Sequence, residues 1–161
     1  TDWLADNPED GMALNQLASY YSETGADSKA VETWERLLRL DPDNSIILNN
    51  LAWHYRTTDT RRALQYVDRA LENAPDSGNI LDTRALILLN AGRGEEALQS
   101  IDRALRQADA VPLFLLHRAQ ILAALGRGEE AREVVEGLPS TGRVEYRAEL
   151  AELRASLGPD S

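Results

Sequence analysis

Residues able to do acid–base, metal or nucleophilic chemistry are sparse in this chain, and their spacing limits what they can do. Histidine occurs twice, at His54 and His117, and cysteine is absent. A metal site needs several convergent ligands, and the two histidines fall in separate segments. They read as ordinary surface or groove histidines, with no metal and no cofactor implied. The neighbouring carboxylates Glu95-Glu96 and Glu129-Glu130 have the residue types for general acid–base work. Each pair follows a Gly-Arg-Gly turn at the start of a helical stretch. A carboxylate there favours the exposed N–H groups and the positive end of the helix dipole, so capping is the simpler role. No G-x-S-x-G elbow prepares a serine nucleophile. The Gly92-Arg93-Gly94 turn lacks the later glycine and the Lys-Ser/Thr of phosphate-binding loops. Without cysteine, disulfide and thiolate chemistry are excluded. No residue constellation in the sequence points to catalysis.

The elements that position these residues recur. Thr83 to Ile101, TRALILLNAGRGEEALQSI, returns as His117 to Val135, HRAQILAALGRGEEAREVV, at an offset of 34 residues with ten of nineteen positions identical. A fixed period in this range marks a solenoid rather than one closed core. Pro8, Pro42 and Pro75 keep the same beat. Ala30, Ala63, Ala97 and Ala131 each open a second helix, and Trp34, Val67, Ile101 and Val135 follow four residues later. First helices begin with Leu14, Leu48, Leu81 and Leu115. Small residues come four later, at Ala18, Ala52, Ala85 and Ala119, and large ones three after that, at Tyr21, Tyr55, Leu88 and Leu122. Arg84 and Arg118 stand where Leu17 and Leu51 stand earlier. A lone buried charge is costly, so each Arg stem is expected to pack while its head reaches an acid, the rim, or an anionic partner in a groove.

The expected fold is all-α, a right-handed α-solenoid of four helix pairs plus a C-terminal capping helix. Residues 1–9 read as the end of a preceding repeat whose start lies upstream. Pairs follow at 11–44, 45–77, 78–110 and 111–139, and a cap at 140–158. Within the first pair the helices are placed near Asp10 to Glu23 and Asp27 to Leu40. Asp59 or Thr60 is expected to cap the second helix of the second pair. The proline expected near Asp109 is missing, and Pro112 suits the first turn of the next helix. In the cap, Tyr146, Leu150, Leu153 and Leu157 form one apolar stripe, and Gly158-Pro159 stops the helix.

The net charge of −10 disfavours nucleic acid and anionic membrane surfaces as partners. No apolar run approaches the roughly 20 residues that span a bilayer. The charge is uneven: residues 1–44 hold ten acids and three bases, while 45–127 hold nine acids and ten bases.

The small–large–proline spacing over residues 11–139 resembles the tetratricopeptide repeat family. That resemblance implies first helices on a concave face and second helices outside. The phase then directs Asn15, Ser19, Asn49, Trp53, Arg56, Asp82, Leu86, Leu89, Leu116 and Gln120 towards the groove, as binding residues for a protein or peptide segment. Trp53 offers a large amphipathic contact and Asn49 a two-way amide. Some family members grip a terminal carboxylate with a Lys/Arg/Asn set. Lys29 is the only lysine here and lies on a second helix, which disfavours that clamp. The phrases RLLRLDPDNSIILNNLAWHYR, ALQYVDRALENAPDS and LDTRALILLNAGRGEEAL also resemble the C-terminal repeats of bacterial PEP-CTERM/exosortase-associated lipoproteins of this family. That likeness implies exopolysaccharide production or protein sorting at the periplasm or envelope, with the cytoplasm as the alternative. Two other roles fit the same residues: the repeat arm of a larger enzyme such as a glycosyltransferase, or a structural spacer that self-associates. The sequence leaves the oligomeric state open.

Overall fold

Short polar side chains set three of the described helix starts, those at Gly11, Ser45 and Thr60. Asp10 receives the backbone N–H groups of Met12 and Ala13 at 3.0 Å each, and its other oxygen accepts from Trp3 Nε1 at 2.7 Å. These donors hold the Asp10 carboxyl below the ordinary carboxylate range, the Ala13 N–H contributing most. Asn44 plays the same part for Ile46 and Ile47, and Asp59 for Arg62. Each offers the oxygen that a first helical turn needs. Helix ends at Gly25, Gly92 and Gly126 use positive φ near 70°, where a Cβ would be strained.

The computed structural model describes residues 2–107 and 111–158. Thr1, the segment around Asp109 that ends the third expected pair, and Pro159 lie outside the described residues. The helices are α1 (Asp2–Asp6), α2 (Gly11–Glu23), α3 (Asp27–Leu40), α4 (Ser45–Tyr55), α5 (Thr60–Asn73), α6 (Gly78–Asn90), α7 (Gly94–Gln107), α8 (Pro112–Ala124), α9 (Gly128–Glu136) and α10 (Val144–Leu157). There is no strand among the described residues, and the fold is the all-α arrangement of stacked helix pairs. None of these helices is long and apolar enough to cross a membrane.

Two compact units divide the chain at Pro75. In residues 1–75, α2 packs on α3, α4 on α5, and α3 joins the pairs. Leu14, Ala18, Ala30, Trp34, Leu37, Ile47 and Leu51 form the core, with Leu4 of α1 and Tyr21 against it. Alanines at 18, 30, 52 and 63 are fully buried, and their small size lets the helix axes approach closely. A cluster ties α3, α4 and α5: Glu35 accepts from Tyr55 Oη at 3.1 Å and Arg62 Nη2 at 2.6 Å, and the Tyr55 and Tyr66 rings stack at 5.9 Å.

In residues 76–161, α6 packs on α7 and α8 on α9. Helices α7 and α6 both meet α8, and α10 closes on α8 and α9 with Tyr146, Leu150 and Leu153 buried. A repeated clasp joins three of the second helices, α3, α5 and α7, to the loop before their pairs. Arg36 donates to the Pro8 carbonyl, Arg69 to that of Pro42, and Arg103 to the Asp76 carboxylate.

Candidate binding face

One side of α2 and of α4 carries polar and apolar residues at helical spacing. On α2 these are Met12, Asn15 and Ser19; on α4 they are Ile46, Asn49 and Trp53. Spacings of three and four put each set on one side of its helix. Asn15 is exposed, and Ser19 and Asn49 are half-buried. Trp53 leaves 39% of its surface in solvent. Arg56, one turn on, lays its guanidinium 3.7 Å from the centroid of the Trp53 ring and donates to the Trp53 carbonyl at 2.8 Å. Burial lowers the pKa of Arg56 below the usual arginine value, against the opposing field of Asp27. The guanidinium still remains charged. The stacking stiffens the indole and leaves it available as an anchor.

Pockets open at both ends of this helix pair. One, of about 500 Å³, is lined by the first turns of α2 and α4 and the end of α3, including Met12, Asn15, Leu40, Asp41 and Ile46. Met12, Ile46 and Leu40 are exposed by 81%, 68% and 44%. The other end has a recess of about 200 Å³ touched by Ser19, Glu23, Asn50, Trp53 and His54. Beside it lies a wider hollow of about 550 Å³ bounded by Asp27, Trp53, His54 and Arg56.

His54 is not a surface histidine. Its side chain is 7% exposed, with Nδ1 3.4 Å from Asp27. Burial pulls its pKa down, and the Asp27 charge opposes that only in part. His117, unlike His54, departs from the expectation of a surface or groove histidine. It is buried, and its Nδ1 lies 2.7 Å from Asp82 Oδ1. The spacing of Asp82 and His117, on α6 and α8, carried no hint of this pairing.

The expected binding residues thus divide evenly: Asn15, Ser19, Asn49, Trp53 and Arg56 in the first unit, and Asp82, Leu86, Leu89, Leu116 and Gln120 in the second. In the second unit the phase misleads at two positions. Leu116 is fully buried and Asp82 is 7% exposed. The reason is packing: α6 meets α8 directly and α10 lies against α8, so these slots face neighbours rather than a groove. Leu86 and Leu89 remain half-buried. Gln120 donates to Glu149 of α10 at 3.2 Å. Arg118 donates to Asp102 at 2.7 Å, which answers its charge within α7 and α8. Sequence reasoning missed Met12, Leu40 and Ile46. Met12 and Ile46 stand three residues before Asn15 and Asn49, so the face's own spacing could have found them.

The sequence profile of the tetratricopeptide repeat family matches residues 5–137. Cellulose synthase operon protein C of Pseudomonas fluorescens (strain SBW25) is 30% identical over 94 residues, which is 58% of this chain and 7% of that protein. This chain therefore matches a small part of that relative's length. A tetratricopeptide repeat protein from Parabacteroides merdae superposes with a TM-score of 0.82 at 21% identity, over 96% of this chain and 60% of that one. YrrB, a repeat protein described as having an unusual peptide-binding site, gives 0.67 at 17% identity, over 96% and 74%. At these identities the structural likeness establishes the fold.

Proposed function

This chain belongs to the tetratricopeptide repeat family, and we propose that it is a non-catalytic scaffold that holds a protein or peptide segment on the α2–α4 face. One observation carries the reading. Trp53 is a large, partly exposed ring, held flat by Arg56 and set beside two hollows. A rigid amphipathic ring next to a recess is the arrangement of a binding anchor. YrrB, which shares the fold, is named for a peptide-binding site, and this supports the same use here. Trp53→Ala tests it. Partner affinity falls by on the order of 2 kcal/mol, about thirtyfold. Folding is expected to lose less than the 3–5 kcal/mol of a core aromatic, because the ring is already partly in solvent. Unchanged affinity in a well-folded variant removes Trp53 from the site.

We also propose a working place at the bacterial envelope, in exopolysaccharide production. The relative named for a cellulose synthase operon supports this, as does the likeness of the repeat phrases to envelope lipoproteins. Deletion of the gene, with secreted polysaccharide measured, tests it; an unchanged yield removes the assignment. The great length of that relative also favours a second reading, in which these repeats are the arm of a larger protein. The full-length gene decides between them.

A further inference from the structure

The α2–α4 face has a chemical bias that its role as a peptide holder does not by itself require. Its first pocket is an apolar cup: Met12, Leu40 and Ile46 stand 81%, 44% and 68% exposed around it. Exposed apolar groups clustered this way mark an interaction surface rather than scattered surface leucines. At the edge of the cup stands Asp41, exposed, its carboxylate accepting one hydrogen bond from Asn44 at 2.9 Å. At the far end of the same helix pair Glu23, also exposed, borders the recess beside Trp53.

Asp27, with its side chain 76% exposed beside the Trp53 hollow, faces His54 at 3.4 Å and adds a third carboxylate to this face. Arg56, the one cation among the described residues lining the three pockets, is spread over the Trp53 ring. Residues 1–75 carry thirteen acids and seven bases, a net charge of −6. An acidic segment approaching this face meets repulsion at both ends and across the unit. A segment bearing lysine or arginine meets a carboxylate at each end and a field that speeds its arrival.

Resting on the reading of this face as a peptide-binding site, we propose that its occupant is a basic, apolar segment. One large apolar side chain enters the cup between Met12, Leu40 and Ile46, and Lys or Arg side chains on either flank meet Asp41 and Glu23. The dimensions set the register. Met12 and Glu23 are eleven residues apart on α2, about 16 Å along the helix. An extended segment covers that distance in about five residues. The apolar anchor and the basic residue that meets Glu23 therefore stand about five residues apart, with the second basic residue close to the anchor, beside Asp41.

The test is selection of a random twelve-residue peptide library, displayed on phage, against the whole immobilised chain. Synthetic copies of the enriched peptides are then measured by fluorescence anisotropy at low and high salt. The proposal expects enriched peptides with Lys or Arg on both sides of one large apolar residue. Ile46→Asp weakens them about tenfold or more. Glu23→Gln and Asp41→Asn each weaken them about two- to fivefold and flatten the salt dependence. All three positions are exposed, so helicity and melting should stay at the parent values. Enriched peptides that are acidic or uncharged, yet lose binding in Trp53→Ala, keep the face as a binding site and overturn the basic occupant. Peptides indifferent to both Trp53→Ala and Ile46→Asp, or no enrichment at all, overturn both readings.

Discussion

Removing one member of the Asp82–His117 pair is expected to cost far more stability than removing an exposed polar contact. The side chains are 10% and 7% exposed and their polar atoms are 2.7 Å apart. Asp82→Ala leaves His117 between α6 and α8 without its carboxylate. Breaking a buried, charge-assisted pair in this way costs about 3–5 kcal/mol, while losing a neutral buried hydrogen bond costs about 1–3 kcal/mol. The shared estimate is about 3 kcal/mol. For a chain of this size that corresponds to a fall of about 6–12 °C in melting temperature. Urea unfolding of Asp82→Ala, His117→Ala and the double variant gives the cycle. The two single changes should fail to add, with a coupling of about 1–3 kcal/mol. Replacing both residues by leucine should be close to neutral, because well-packed apolar groups can substitute for a buried pair. Leu116 already fills the slot equivalent to Asp82 one repeat later. Single variants that each cost less than about 1 kcal/mol and add without coupling would refute the argument.

Two further outcomes follow from local geometry. A Cβ on Gly94 would meet Leu125 Cδ2 at 2.6 Å, whereas one on Gly128, the equivalent position, meets nothing within 4 Å. Gly94→Ala should therefore stabilise less than Gly128→Ala, because the Leu125 side chain must shift to admit the new methyl, while Gly128→Ala should raise stability by about 0.4–1 kcal/mol; equal effects in thermal melts would contradict this. His54 has a folded-state pKa below 6.5, first because of burial. The unfolded chain then takes up a proton before the folded one does, so stability should drop as pH falls from the ordinary imidazole value towards the lowered one. His54→Gln should flatten that part of the stability–pH curve. An unchanged slope in the variant would assign the pH dependence to other groups.

The helix pairs were legible because the same small and large slots return in phase. Ala18, Ala30, Ala52 and Ala63 are all fully buried, and no single one would have sufficed. The first-unit face was legible in part, since polar Asn15 and Ser19 and the amphipathic Trp53 fall where a helix is not covered. In the second unit the equivalent slots hold Asp82 and Leu116, and both are buried. Periodicity gives the direction in which a side chain leaves its helix. It does not give how near the next helix comes, and α6 and α8 approach closely enough to close that surface. The clasps of Arg36 on Pro8 and Arg69 on Pro42 span 28 and 27 residues. They depend on loop geometry that the helical period does not encode.

The proposed binding face sets a peptide segment against Trp53. The chain has three tryptophans, at positions 3, 34 and 53, and so three indole N–H resonances. Trp34 is 3% exposed in the core, and Trp3 bonds Asp10 at the first helix. Titrating isotope-labelled protein with a peptide selected on the whole chain, and following these three signals by NMR, tests the claim most directly. The Trp53 signal should move progressively and saturate with the binding curve, while that of Trp3 stays in place. Saturable binding that leaves the Trp53 signal unmoved would contradict the account.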